Sequence, residues 1–241
     1  KNQHFGIREF AFYEDNLLFN RQNFLDRLTQ IRKRGLKIEI YAPEGIEPRL
    51  VEYELMSEMR ASGFKKIHLA LETINNDISR EWNRRQASIE KFDQAVDVLQ
   101  RVGFKSGSQD MNAFVIFGIP DEDLQAAVST AIYASIRVGS VVPMLFTPVP
   151  GSILFSKHQG YLKSQHHLDG KEWDLHDYNG KLLPFLEYNQ KLYPGLQASD
   201  YMEIESLMMH LNNSKVLRKR FDVNSNSPSG RAFRRVLAEM A

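Results

Sequence analysis

Met111-Asn112-Ala113-Phe114-Val115-Ile116-Phe117-Gly118-Ile119-Pro120-Asp121-Glu122 begins as an unbroken run of mostly apolar residues and stops at a glycine and a proline. A strand apolar along both faces needs cover on both, as in a parallel sheet flanked by helices. Upstream of it, Phe92, Ala95, Val96 and Leu99 recur at helical spacing within residues 88–102, and Gly103 supplies the stop. Residues 66–71 predict a preceding strand that ends on Glu72, and residues 48–62 a helix with Pro48 at its start and Gly63 after its end. Residues 37–42 and 9–13 predict two further strands, separated by a helix in which Phe24, Leu28 and Ile31 repeat until Gly35. Downstream, a helix over residues 123–138 is broken by Gly139. Residues 141–146 then predict a last strand running into Thr147-Pro148-Val149-Pro150-Gly151. Strands alternating with helices in this way imply an α/β fold on a parallel sheet with right-handed crossovers, either a barrel or an open doubly wound sheet.

Beyond Ser156 the pattern changes. Residues 158–195 are rich in aromatic residues, His and Gly without a period; residues 201–215 and 231–240 predict helices joined by a loop over 223–230. Periodic apolar residues are too few there for a separate core, so we divide the chain into a barrel-like part, 1–156, and a C-terminal helical extension, 157–241, packed on it.

The 241 residues are 42% hydrophobic and 25% charged, ordinary globular values. Lys and Arg (31) balance Asp and Glu (30) to a formal charge of +1, which gives no global reason to expect nucleic acid or an anionic membrane as partner. The longest apolar run, residues 140–149, is too short to cross a bilayer, and a cytoplasmic location is expected. The cysteine count is zero, which excludes disulfides, thiolate-bound zinc and any cysteine-ligated iron–sulfur cluster held by this chain itself. The first residue is Lys1, and a processed tag or an upstream truncation would explain it.

Parallel α/β folds bind ligands at the carboxyl ends of their strands. The polar residues expected there are Glu14, Asp15 and Asn16, then Glu44, Glu72, Asp121 with Glu122, and Thr147. Each has a structural alternative. Glu14-Asp15-Asn16 suits a turn and helix cap, Glu72 a salt bridge, and Asp121-Glu122 the first turn of the following helix. His158, His166, His167 and His176 match no metal spacing and read as a surface loop. Lys215, Arg218, Lys219 and Arg220 read as a solvated helix end. Nucleophile elbow, phosphate loop and dinucleotide fingerprint are all missing.

Taken in order, Phe12-Tyr13-Glu14-Asp15-Asn16, Ala42-Pro43-Glu44-Gly45-Ile46, Leu69-Ala70-Leu71-Glu72-Thr73, Phe117-Gly118-Ile119-Pro120-Asp121-Glu122 and Thr147-Pro148-Val149-Pro150-Gly151 resemble the radical S-adenosylmethionine superfamily. The likeness is to its subgroup with an N-terminal cobalamin-binding domain, and it covers about residues 10–155. The resemblance implies a partial (β/α) barrel, TIM-barrel-like, of which this chain supplies about five parallel strands. It also implies a cobalamin domain and a CxxxCxxC cluster loop upstream of Lys1. On this resemblance the cofactor is S-adenosylmethionine, with an iron–sulfur cluster and cobalamin in the full-length protein and none expected on this chain.

By position, Glu14, Asp15 and Asn16 match the strand end near the methionine amino group, and Glu72 the one near the ribose or methionine part. Gly118, Ile119 and Pro120 match the segment beside the adenine, and Thr147 with Pro148 the last strand end. Thr73 stands where Ser is commoner, and Asp121 where Gly is frequent. The function implied is a radical S-adenosylmethionine fragment, inactive alone, whose full-length form performs methylation or related radical chemistry on a small molecule the sequence does not identify.

Two alternatives stand beside it. One is a barrel lyase or hydrolase using Glu72 with Glu14 or Asp15 as acid and base. The other is a protein-binding scaffold with an exposed apolar patch of Leu182, Leu183, Phe185 and Tyr188. An incomplete barrel would also leave its first strand edge open to self-association.

Overall fold

The computed structural model describes residues 6–14, 16–81, 88–106, 110–122, 124–165 and 184–214. Among them, β1 (Glu9–Ala11), β2 (Glu39–Tyr41), β3 (Phe64–Glu72), β4 (Met111–Phe117) and β5 (Val141–Leu145) form one sheet. The strands lie in the order β1-β2-β3-β4-β5, and every neighbouring pair is parallel. A doubly wound sheet reverses its winding at a switch point, whereas a barrel adds each strand beside the last. The sequential order therefore makes this the wall of a partial (β/α) barrel.

Helices α1 (Arg21–Lys33), α2 (Tyr53–Ala61), α3 (Asn76–Glu81), α4 (Ile89–Val102) and α5 (Leu124–Val138) connect the strands. α6 (Ile153–Gln165), α7 (Leu186–Asn189) and α8 (Ala198–Ser214) follow them. Burial alternates along the inner strands. Ile67, Leu69 and Leu71 of β3 and Met111, Ala113, Val115 and Phe117 of β4 are buried with the helix residues Phe92, Val96, Leu99 and Ala131. His68, Ala70, Phe114 and Ile116 lie half-buried on the other face.

Local signals set the boundaries. Ser88 caps α4 by accepting the Lys91 N–H at 3.3 Å, and Gly103 ends it in the left-handed region at φ +102°. Asn20 caps α1 through the Asn23 N–H at 3.1 Å. Gly63 is required where it stands: at φ +106°, an added Cβ would lie 2.2 Å from the Ile38 carbonyl oxygen. The expected helix over 48–62 is divided instead. Residues Pro48–Leu50 make one 3-10 turn, Val51 and Glu52 are extended (ψ 108° and 147°), and α2 starts only after them.

Among the described residues, one outer edge of the sheet is β1. Arg8 accepts from the Glu39 N–H at 2.7 Å and the Phe12 N–H donates to Tyr41 at 2.9 Å. In a parallel ladder these alternate residues face the partner, so the backbone groups of Glu9 and Ala11 point outward.

α8 packs on α5 and β5, and its Tyr201, Ile204, Leu207 and Met208 join the core shared by sheet and helices. Asn212 of α8 bonds both backbone groups of Val141 at the start of β5. A second cluster forms around Phe155, Leu162 and Phe185, with Tyr161 and Tyr188 against it. The domain boundary placed at 156 falls inside α6.

Two expectations are corrected here. His158 is on a helix and 5% exposed, edge-on to Phe185 and Tyr188, because the ring completes that aromatic cluster. Phe185 is fully buried in the same cluster and so belongs to no exposed patch. His166, His167, His176, Leu182, Leu183, the basic residues 215–220 and the helix expected over 231–240 lie outside the described residues. Among the described residues no helix is long and apolar enough to cross a membrane.

Candidate functional site at the carboxyl rim

Because all neighbours are parallel, every strand delivers its C-terminal end to the same rim. β3 arrives there with a bulge: Ala70 pairs with Phe114 but Glu72 with Val115, so the chain gains a residue on β4. Glu72 then takes φ +64°, and the Thr73 N–H bonds the Leu71 carbonyl two residues back at 2.8 Å. A positive φ with an i to i+2 bond is a strained γ-turn, rare outside glycine. Strain of this kind persists only where its surroundings enforce it and concentrates at binding sites. Glu72 is also 9% exposed, a carboxylate set into the wall.

Thr73 is buried, and its Oγ1 accepts the Asn75 N–H at 3.0 Å. Asn75 in turn caps α3 through the Asp77 N–H at 2.9 Å. Thr130 of α5 fixes the same turn by accepting the Ile74 N–H at 3.1 Å.

After β4 the rim segment is tightly held. Gly118 (φ +82°), Ile119 and Pro120 are buried, and Asp121 is exposed at φ +60°. The Gly118 N–H donates to the Glu122 carboxylate at 2.6 Å, so Glu122 braces its own loop. Asn189 of α7 holds the loop from the other side: its Oδ1 accepts the Asp121 N–H at 2.9 Å and its Nδ2 donates to the Ile119 carbonyl at 2.8 Å. Tyr201 hydrogen-bonds Asn189 at 3.0 Å. Burial, with the Glu122 carboxylate adding to it, pushes the Tyr201 hydroxyl above its ordinary range, so it stays protonated. Sequence reasoning missed Asn189, which lies where no apolar period exists, and Tyr201, whose apolar period with Ile204 and Leu207 marks it only as a core position of α8.

The other expected residues are placed as follows. Glu14 is exposed and paired with Arg27 of α1 at 2.9 Å, beside Asn16 in a cleft of about 240 Å³. Asn16, Asn20 and Arg27 line that cleft together with Glu14. Asp15 lies outside the described residues. Glu44 is exposed; at Gly45 (φ +89°) an added Cβ would meet the Phe114 ring at 2.7 Å, and Ile46 returns to β3, its N–H donating to the His68 carbonyl at 2.7 Å. Thr147 is exposed and Pro148 buried. A larger cleft, about 610 Å³, lies at the opposite end of the strands; there Arg60 pairs with Asp110 at 3.6 Å and Lys65 with Glu39 at 3.3 Å.

A sequentially wound parallel sheet of this kind defines a barrel of the (β/α) class. Its particular kind follows from comparison: residues 1–131 match the Radical SAM superfamily, and the chain belongs to that superfamily. Among solved structures the fold is similar to TsrM, a radical S-adenosylmethionine methyltransferase from Kitasatospora setae with cobalamin and a 4Fe–4S cluster bound. The TM-score is 0.56 at 12% identity, over 67% of this chain and 32% of that one. Coproporphyrinogen III oxidase (HemN) from Escherichia coli, a radical SAM enzyme, matches with a TM-score of 0.45 at 16% identity, over 72% of this chain and 37% of that one. The chain thus spans about a third of the length of these structures, 32% and 37%. No curated protein matches it.

The superfamily implies S-adenosylmethionine and an iron–sulfur cluster. The cluster does not fit this chain's residues, since cysteine ligands are required and the count is zero. The rim carries carboxylates, the buried Glu72 and the exposed Glu14 among them, of the kind that the ammonium and hydroxyl groups of S-adenosylmethionine would take.

Proposed function

We propose that this chain supplies the S-adenosylmethionine-binding wall of a radical enzyme whose cluster cysteines come from outside these 241 residues, so that the chain alone is inactive. Glu72 takes the ribose or methionine part, Glu14, Asp15 and Asn16 the methionine amino group, and Gly118, Ile119 and Pro120 the adenine. Thr147 and Pro148 close the last strand end. The chemistry we propose is methylation or related radical chemistry on a small molecule, with cobalamin as a further cofactor because the rim segments resemble those of the cobalamin-binding subgroup. We further propose that the protein is cytoplasmic, where reducing conditions keep cluster-ligating thiols reduced, and that residues 157–241 act as an extension of the barrel.

The observation that carries this reading is Glu72: a buried carboxylate held in a strained turn, at a bulge, on the rim of a superfamily barrel. Glu72→Gln keeps the volume and removes the charge. Titration with S-adenosylmethionine, followed by NMR into the millimolar range, is expected to show weak binding, the cluster's anchoring contacts being absent, that this change weakens about tenfold further, as loss of a charge-assisted hydrogen bond would. Equal affinity of the two proteins would remove Glu72 from the site. The coding sequence ahead of Lys1 checks the cluster: a CxxxCxxC segment within about one βα unit is expected, and its absence would overturn the radical chemistry.

A further inference from the structure

Asn189 is completely buried, and each polar atom of its amide has a partner. The Ile119 carbonyl can only accept and the Asp121 N–H can only donate, so the amide has one permitted orientation. Its two bonds bridge the backbone on either side of Pro120 and hold Asp121 in a left-handed conformation that non-glycine residues seldom keep unaided. From the other side Glu122 holds Gly118. The segment is thus clamped at both ends, and one clamp belongs to α7, about 70 residues further along the chain.

On the footing that Gly118, Ile119 and Pro120 line the cofactor, we propose that Asn189 is a positioning residue for S-adenosylmethionine: it sets the height of that backbone without touching the ligand. The C-terminal extension thereby becomes part of the cofactor site. A peptide shift of about an ångström at a contact surface is enough to cost binding tenfold or more.

The test compares Asn189→Ala and Asn189→Asp with Asn212→Ala in the whole chain. Asn189→Asp keeps an acceptor for Asp121 but cannot donate to Ile119. Asn212→Ala loosens the extension at the far end of β5, away from the rim. Three quantities are read: the S-adenosylmethionine dissociation constant by NMR titration, the thermal midpoint, and hydrogen exchange of the Asp121 amide. Both Asn189 variants are expected to weaken binding about tenfold and to speed Asp121 exchange, while Asn212→Ala loses stability with affinity within about twofold of the parent. Unchanged affinity in a folded Asn189 variant, or an equal loss in Asn212→Ala, would overturn the positioning role and leave the cofactor reading standing. Failure of the unaltered chain to bind at all would overturn both.

Discussion

Asn212 grips Val141 by both of its backbone groups: the Asn212 Oδ1 accepts the Val141 N–H at 2.6 Å and its Nδ2 donates to the Val141 carbonyl at 2.7 Å. A side-chain amide here does what a neighbouring strand would do, on the edge where the sheet runs out of strands among the described residues. Asn212→Ala is therefore expected to cost about 2 kcal/mol, two partly buried hydrogen bonds at roughly 1 kcal/mol each. Urea unfolding measures it; a loss below about 0.5 kcal/mol would mean water replaces the amide fully.

Gly63 and Gly103 share a left-handed backbone but not its surroundings. An alanine Cβ at Gly63 meets the Ile38 carbonyl oxygen at 2.2 Å, whereas at Gly103 it meets nothing within 4 Å. Gly103→Ala is expected to cost about 1 kcal/mol, the conformational penalty alone. Gly63→Ala carries that penalty plus a clash with the Ile38 carbonyl just ahead of β2, and is expected to cost more than about 3 kcal/mol. Similar midpoints for the two in urea would contradict the geometry.

His68 titrates unusually low. Burial, with Lys66 adding to it, lowers its pKa from 6.5 to about 4 in the folded chain, where it stacks on Phe114 at 5.2 Å. A depressed histidine is neutral when folded and takes its proton on unfolding, so its stability contribution is whole above about pH 6.5 and is lost as pH falls toward about 4. Over that window the chain should lose on the order of 2 kcal/mol that His68→Gln does not lose. Urea midpoints at several pH values decide it; parallel curves for the two proteins would place His68 in water.

The open side of β1 tests self-association. Glu9 and Ala11 turn their backbone groups outward, and Phe10 and Tyr13 are 38% and 74% exposed beside them. We expect concentration-dependent dimers in sedimentation velocity, reduced by Ala11→Pro, which removes an outward donor. A monomer at all concentrations would show the edge to be protected.

Much of the fold was legible because burial leaves a period. β4 begins and ends where the apolar run does, and α4 lies between the two residues that signal its caps, Ser88 and Gly103. The first strand is shorter than expected, ending at Ala11 rather than Tyr13, since a single parallel neighbour supports few residues. α3 was not anticipated, being little more than a turn set by Thr73 and Asn75. α6 was missed for another reason: it buries only Phe155, His158 and Leu162, aromatic and apolar groups too sparse for a stripe, and carries Gly160.

At the rim the same division holds. Gly118 and Pro120 announce a turn in any sequence, and family likeness drew attention to Glu72. The strain at Glu72 is invisible in composition, because it arises from a bulge against β4. Asn189 had no signal at all: a buried amide serving a loop about 70 positions away is specified by three-dimensional proximity alone.

The order β1-β2-β3-β4-β5 also bears on how the molecule comes into being. Each strand finds its partner in the unit synthesised just before it, so the sheet can grow as the chain leaves the ribosome, with no strand waiting for a distant mate. Contact order stays low for a parallel protein until α8, the last helix among the described residues, arrives, and the slow event becomes the docking of α8 rather than assembly of the sheet.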